Sequence, residues 1–242
     1  MSGGGWHRIR LVTCDLDDTL WDIWPVIARA EALLHEWLSE RFPRIPETYS
    51  PLALRGLCDE IAVRRPELGH DRSALRKLAL GLAAERVGYR DFAVDPPFEV
   101  FYAARNEVVL FEEVLPALER LHGRYLLAAL SNGNADLQRI GLDHLFHFGL
   151  NPTHVGAPKP APLMFREACR RAGVTPAQTV HVGDDPEHDV GGAAALGIRT
   201  VWVNRGGKSW SGEPLPDAQV ATLEALEIVL AGWDGAGSRV AR

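Results

Sequence analysis

Cysteine is scarce in this chain of 242 residues. Cys14, Cys58 and Cys169 lie far apart and form no CxxC pair. So small and dispersed a set excludes a disulfide scaffold and reads as reduced thiols, so the expected location is the cytoplasm. Long apolar runs are missing too. None approaches the ~20 residues that cross a bilayer, and Met1–Trp6 is Gly-rich and polar, without the apolar stretch of a secretory signal. There is no surplus of positive charge. The net charge is −6 and the pI about 5.8, which argues against nucleic acid or an anionic membrane as partner. The nine histidines show no HxxxH spacing, and no internal repeat is present. What remains, 46% hydrophobic and 24% charged residues, is enough for a sizeable core in a globular chain.

Periodicity divides the chain in two. Ile9–Leu16 reads as a buried strand ending in acidic residues. Helix then follows helix, expected over Trp24–Arg41, Pro51–Arg64, from Asp71 to Arg86, and over Pro97–Val108, with Phe42–Pro51 a proline-rich linker. From Glu113 the pattern alternates. Strands are predicted at Tyr125–Ser131, Phe146–Leu150, Thr179–Gly183 and Thr200–Asn204, with helices at Glu113–His122, Ala135–Leu142, Ala161–Ala172 and His188–Leu196. Gly235–Arg242 reads as a loose tail. Alternating strand and helix implies an α/β fold, a doubly wound parallel sheet. The expected organisation is a Rossmann-like core over 1–22 and 109–242, interrupted by an all-helical cap over 23–108.

Ligands of open α/β sheets bind at the carboxyl ends of the strands. Here those ends carry Asp15-Leu16-Asp17-Asp18-Thr19-Leu20, Ser131-Asn132-Gly133-Asn134, and Gly183-Asp184-Asp185 with Asp189 beyond; Lys159 sits between Pro158 and Pro160 before a helix. Singly, each has a bland reading as a cap, a turn or a solvated loop. Together, acidic groups, a hydroxyl and a lysine form the complement that phosphoryl transfer needs, and fold stability requires no such set.

These segments resemble, in order, the four motifs of the haloacid dehalogenase superfamily, and the helical insert resembles its C1-type cap. Asp-Asp-Thr-Leu-Trp-Asp, Ser-Asn-Gly-Asn-Ala and His-Val-Gly-Asp-Asp are most similar to the bacterial flavin mononucleotide phosphatase group. The resemblance implies a phosphatase acting on a small phosphorylated metabolite. Asp15 would be the nucleophile forming an aspartyl-phosphate, and Asp17 the general acid and base. Mg²⁺ would be held by Asp15, the Asp17 carbonyl and Asp184. Ser131 and Lys159 would bind phosphate oxygens, with Asp185 and Asp189 as orienting groups. Leu16, Thr19, Asn132 and Gly133 would contribute to substrate binding. Arg72 and Arg76 share a helical face by their spacing, and Arg76 is the expected substrate reader of a closing cap. The expected assembly is a monomer or homodimer.

The alternatives are a 2-haloacid dehalogenase on the same fold and a phospho-accepting signalling receiver. A dehalogenase has no alcohol to protonate, leaving Asp17 without a task; a receiver needs no helical insert. Cys14 and His181 read as strand residues, and Trp21 and Trp24 as residues near the cap hinge, within reach of substrate but with core packing the expected role.

Overall fold

The computed structural model describes residues 8–237. The polar segment Met1–Trp6 and the last five residues of the expected tail lie outside them. The chain forms two compact units. One comprises the residues up to Asp22, Val109–Asn132, and those from Gly141 on; the other comprises Ile23–Val108 with Gly133–Ile140.

The first unit holds a sheet of β1 (Leu11–Cys14), β2 (Leu126–Leu130), β3 (Phe148–Leu150), β4 (Thr179–Gly183), β5 (Arg199–Val203) and β6 (Ala218–Val220). The order is β3-β2-β1-β4-β5-β6, and every neighbouring pair is parallel. This is the doubly wound sheet expected from the alternation. In chain order the helices are α1 (Ile23–Arg41), α2 (Arg44–Thr48), α3 (Pro51–Arg64), α4 (Arg72–Arg86), α5 (Asp95–Arg105), α6 (Val114–His122), α7 (Leu137–Ile140), α8 (Pro152–Val155), α9 (Leu163–Ala172), α10 (Gly192–Ala194) and α11 (Leu223–Gly237). No helix among the described residues is long and apolar enough to cross a membrane.

Leu11 of β1, Leu130 of β2, and Met164 and Phe165 of α9 pack in one core cluster of the sheet unit. Each such buried side chain contributes about 1.5–3 kcal/mol of apolar transfer. The helical unit has its own core of Leu34 and Leu38 from α1, Leu57 from α3, Leu80 from α4 and Phe101 from α5. Two of its helices, α3 and α4, start where a side chain satisfies a first-turn backbone N–H: Ser50 accepts from Ala53 N at 3.2 Å, and Asp71 from Ala74 N at 2.9 Å.

Several elements depart from the sequence expectation, among them α8 and β6, which no expected element covers. The linker after α1 contains α2, because Pro46 falls in a first turn whose N–H groups need no partner. The helix expected from His188 begins at Pro186 as a π-helical turn and ends at Ala194. The tail expected from Gly235 is, as far as Gly237, the end of α11.

Candidate active site

The strand order reverses between β1 and β4, so the crevice of this sheet opens where those two strands end. Thr13 lies beside His181 and Cys14 beside Val182. The last rung of the ladder is Asp15 N–H donating to the Val182 carbonyl at 2.8 Å. The chain then leaves the sheet, with Thr19 and Leu20 N–H both turned back onto the Leu16 carbonyl. Asp15 is thereby set next to Asp184, which follows β4.

Lys159 ties the carboxylates together. Its ammonium, 2% exposed, lies 2.5 Å from Asp15 Oδ1 and 2.6 Å from Asp189 Oδ1. Burial alone would lower its pKa, but the Asp15 and Asp189 carboxylates more than offset this, so Lys159 stays charged. Burial likewise opposes the charge of Asp189, yet Lys159 and His181 hold its carboxyl below the usual range. Asp15 is left as the disfavoured anion. Burial pushes it up, and two carboxylates facing one ammonium leave it incompletely compensated.

The remaining expected residues divide between direct and supporting positions. The Thr19 hydroxyl lies 3.5 Å from Asp15 Oδ2 and 3.4 Å from Asp184 Oδ1. Ser131 is buried at the end of β2, its N–H donating to the Leu150 carbonyl at 3.1 Å. Asn132 spends its amide on the lysine loop, donating to the Lys159 carbonyl at 2.9 Å and accepting from Lys159 N–H at 2.7 Å. Leu16 is buried, and its carbonyl serves the turn. Asp185 caps the turn after β4, accepting from Glu187 and His188 N–H at 2.8 Å each. Asp17 accepts from the indole of Trp21 at 3.0 Å. Gly133 and Arg76 belong to the helical unit. There Arg76 lies 3.7 Å from Glu31 and over the ring of Phe101.

Several supporting residues carry no motif. His181 is one. Asp189, being ionised, only accepts, so the proton lies on His181 Nε2, 3.0 Å away. Burial keeps the ring neutral, so Nδ1 accepts from the Thr13 hydroxyl at 2.9 Å. The relay Thr13–His181–Asp189–Lys159 thus ends on Asp15. Its only sequence signal is a polar residue inside a wholly buried strand, which must find a partner. Arg205 is another. It donates to the Thr19 carbonyl at 2.9 Å, pairs with Glu113 at 2.7 Å and stacks on Phe111. Trp202 donates to the Asp184 carbonyl at 2.8 Å. Gly183 is required by contact: a Cβ there would sit 2.2 Å from Asp189 Oδ2. Cys14 is inert, since burial pushes its thiol far up.

Asp15, Asp184 and Asp189 bring carboxylate oxygens within 4.8 Å of one another. An all-oxygen set of this kind suits a hard divalent cation such as Mg²⁺. The electrostatics agree: burial, then the neighbouring Asp189 and Asp18 carboxylates, push Asp184 up to about 7, a crowding of negative charge that a cation relieves. Asp189 is already committed to Lys159, His181 and the N–H of Asp185.

A family model described as haloacid dehalogenase-like hydrolase matches residues 9–197, from before β1 to beyond α10. The chain belongs to the haloacid dehalogenase-like hydrolases. Among related proteins, the 5-amino-6-(5-phospho-D-ribitylamino)uracil phosphatase YigB of Escherichia coli is 29% identical over 230 residues, covering 90% of this chain and 95% of that protein. The phosphoserine phosphatase of Thermus thermophilus is 33% identical over 246 residues, covering 90% and 98%. A crystal structure of a 2-haloacid dehalogenase from Pseudomonas syringae pv. Tomato DC3000 superposes with a TM-score of 0.87 at 41% identity, covering 93% of this chain and 99% of that one. The relatives of this hydrolase therefore carry names from both chemistries the fold supports.

Proposed function

We propose that this hydrolase is a Mg²⁺-dependent phosphatase that cleaves a small phosphomonoester through an aspartyl-phosphate on Asp15. The observation that carries this reading is a division of labour between two carboxylates. Asp15 is gripped by Lys159 beside Asp184, whereas Asp17, two residues on, is held separately by Trp21. A phosphate ester needs both, one to attack phosphorus and one to protonate the departing alcohol. A dehalogenase expels halide, which takes no proton, and Asp17 has no task in it.

In the first displacement the Asp15 carboxylate forms a bond to phosphorus as the bond to the ester oxygen breaks, and Asp17 delivers its proton to that oxygen. Asp17, now a carboxylate, then takes a proton from water as the water oxygen attacks phosphorus, releasing phosphate and restoring Asp15. Lys159 and Ser131 neutralise the phosphoryl oxygens; esterification of Asp15 removes the charge that Lys159 had paired. Asp15, the Asp17 carbonyl and Asp184 are the groups that would hold Mg²⁺, which when bound would supply further neutralisation of the transferring group. The substrate is a phosphorylated metabolite such as flavin mononucleotide. The ribityl phosphate in the name of the Escherichia coli relative is a group that this nucleotide shares.

The test is a panel of phosphate esters and 2-haloacids, assayed for released phosphate and halide. Phosphate release should vanish in excess EDTA and return with Mg²⁺. Full turnover in EDTA would remove the metal from the reading, and halide release without phosphate release would replace it by dehalogenation.

A further inference from the structure

Trp21 is completely buried, in the segment that leaves the nucleophile loop. Asp18, the one described non-glycine residue with positive φ, at 60°, turns the chain so that its N–H donates to the Trp21 carbonyl at 2.8 Å. The backbone of Trp21 is thereby bridged to Asp17 on one side and to Leu110 on the other. Its indole N–H points at Asp17 Oδ1, 3.0 Å away. Any large apolar ring would fill this volume; what indole adds is one donor and no acceptor.

We propose that Trp21 is a positioning residue for the proton-donating carboxyl of Asp17, an inference that rests on the reading of Asp17 as general acid. The indole engages Oδ1 and so fixes the orientation of the carboxyl. In the transfer, the carboxyl O–H bond breaks, its electron pair stays on the carboxylate, and the proton joins the ester oxygen as its bond to phosphorus breaks. A lysine or histidine at this place would exchange protons with Asp17. Indole holds the carboxyl in both charge states and takes no proton from it.

The experiment compares kcat/KM for an alkyl phosphate and for p-nitrophenyl phosphate, whose leaving group needs no proton. The ratio of the two does not depend on the fraction of enzyme that folds. The variants are Asp17→Asn, Trp21→Phe and Trp21→benzothienylalanine, the last keeping the fused-ring shape with sulfur in place of N–H. Both Trp21 variants should lose roughly 10- to 100-fold more activity on the alkyl ester than on the nitrophenyl ester, and Asp17→Asn should show the same bias more strongly. Equal loss on both esters, or none, in the Trp21 variants while Asp17→Asn stays biased would make Trp21 a packing residue and leave the acid role standing. Equal loss on both esters in Asp17→Asn would overturn that role, and the inference with it.

Discussion

At the scale of single residues, the site is organised around one buried ammonium shared by two carboxylates. Replacing Asp15 removes the carboxylate that Lys159 compensates least, while Asp189 at 2.6 Å still pairs the lysine. Asp15→Asn should therefore give no detectable turnover on any phosphate ester, since an amide oxygen is a poor nucleophile. Its unfolding free energy should stay within about 1 kcal/mol of the parent. A urea titration read beside the assay checks both, and retained turnover would exclude Asp15 as nucleophile. The residues of the proposed site that were legible in the sequence are those whose chemical type the proposed chemistry demands: Asp15, Asp17, Asp184, Lys159. His181 and Trp21 were not legible as parts of it. Histidine in a strand and tryptophan near a crossing have ordinary packing roles, and the partners that change their meaning are made only by folding, Thr13 lying 168 residues from His181.

At the scale of elements, the helical unit is held by more than apolar packing. Glu31 of α1, its side chain 6% exposed, accepts from Arg55 of α3 at 3.0 and 2.6 Å and pairs with Arg76 of α4 at 3.7 Å. Three helices thus meet on one buried carboxylate. Glu31→Ala leaves the Arg76 guanidinium buried without its counter-charge and should cost about 3–5 kcal/mol, read as a lowered urea midpoint; a change below about 1 kcal/mol would show that the carboxylate holds nothing together. Helix boundaries were legible where punctuation is strong: Pro51 opens α3, and Asp71 caps α4. They were obscured at α2, where three prolines imitate a linker. In β6, three residues are too few to show alternation; α11 was not expected either, although Leu223, Leu226 and Leu230 repeat at helical spacing.

At the scale of the whole molecule, crowded carboxylates make stability depend on pH and metal together. The ordinary value for Asp184 is 3.8, and in the folded chain burial and its acidic neighbours raise it to about 7. Between those values the folded state binds a proton that the unfolded state has released, so this group makes stability fall as pH rises from about 4 to 7. In EDTA, the melting temperature of Asp184→Asn relative to the parent should climb across that window and level off above it. Mg²⁺ at pH 8 should raise the melting temperature of the parent and leave the variant nearly unmoved. A difference independent of pH would mean that Asp184 carries no such strain.

The place of β1 in the sheet has a consequence for how the protein comes into being. Of the strands of the sheet, β1 is made first, yet its neighbours are β2 and β4, on the far side of the helical unit in sequence. Pairing them closes long loops, a cost that only the finished sheet repays. During synthesis the helical segments, whose hydrogen bonds are local, complete their structure while β1 still has no partner. Asp15 meets Lys159 only after residue 159 has emerged, and Asp189 only thirty residues later. No nascent chain that stops short of residue 189 contains the cluster, so its charges are brought together only when the strands that enclose them have been made.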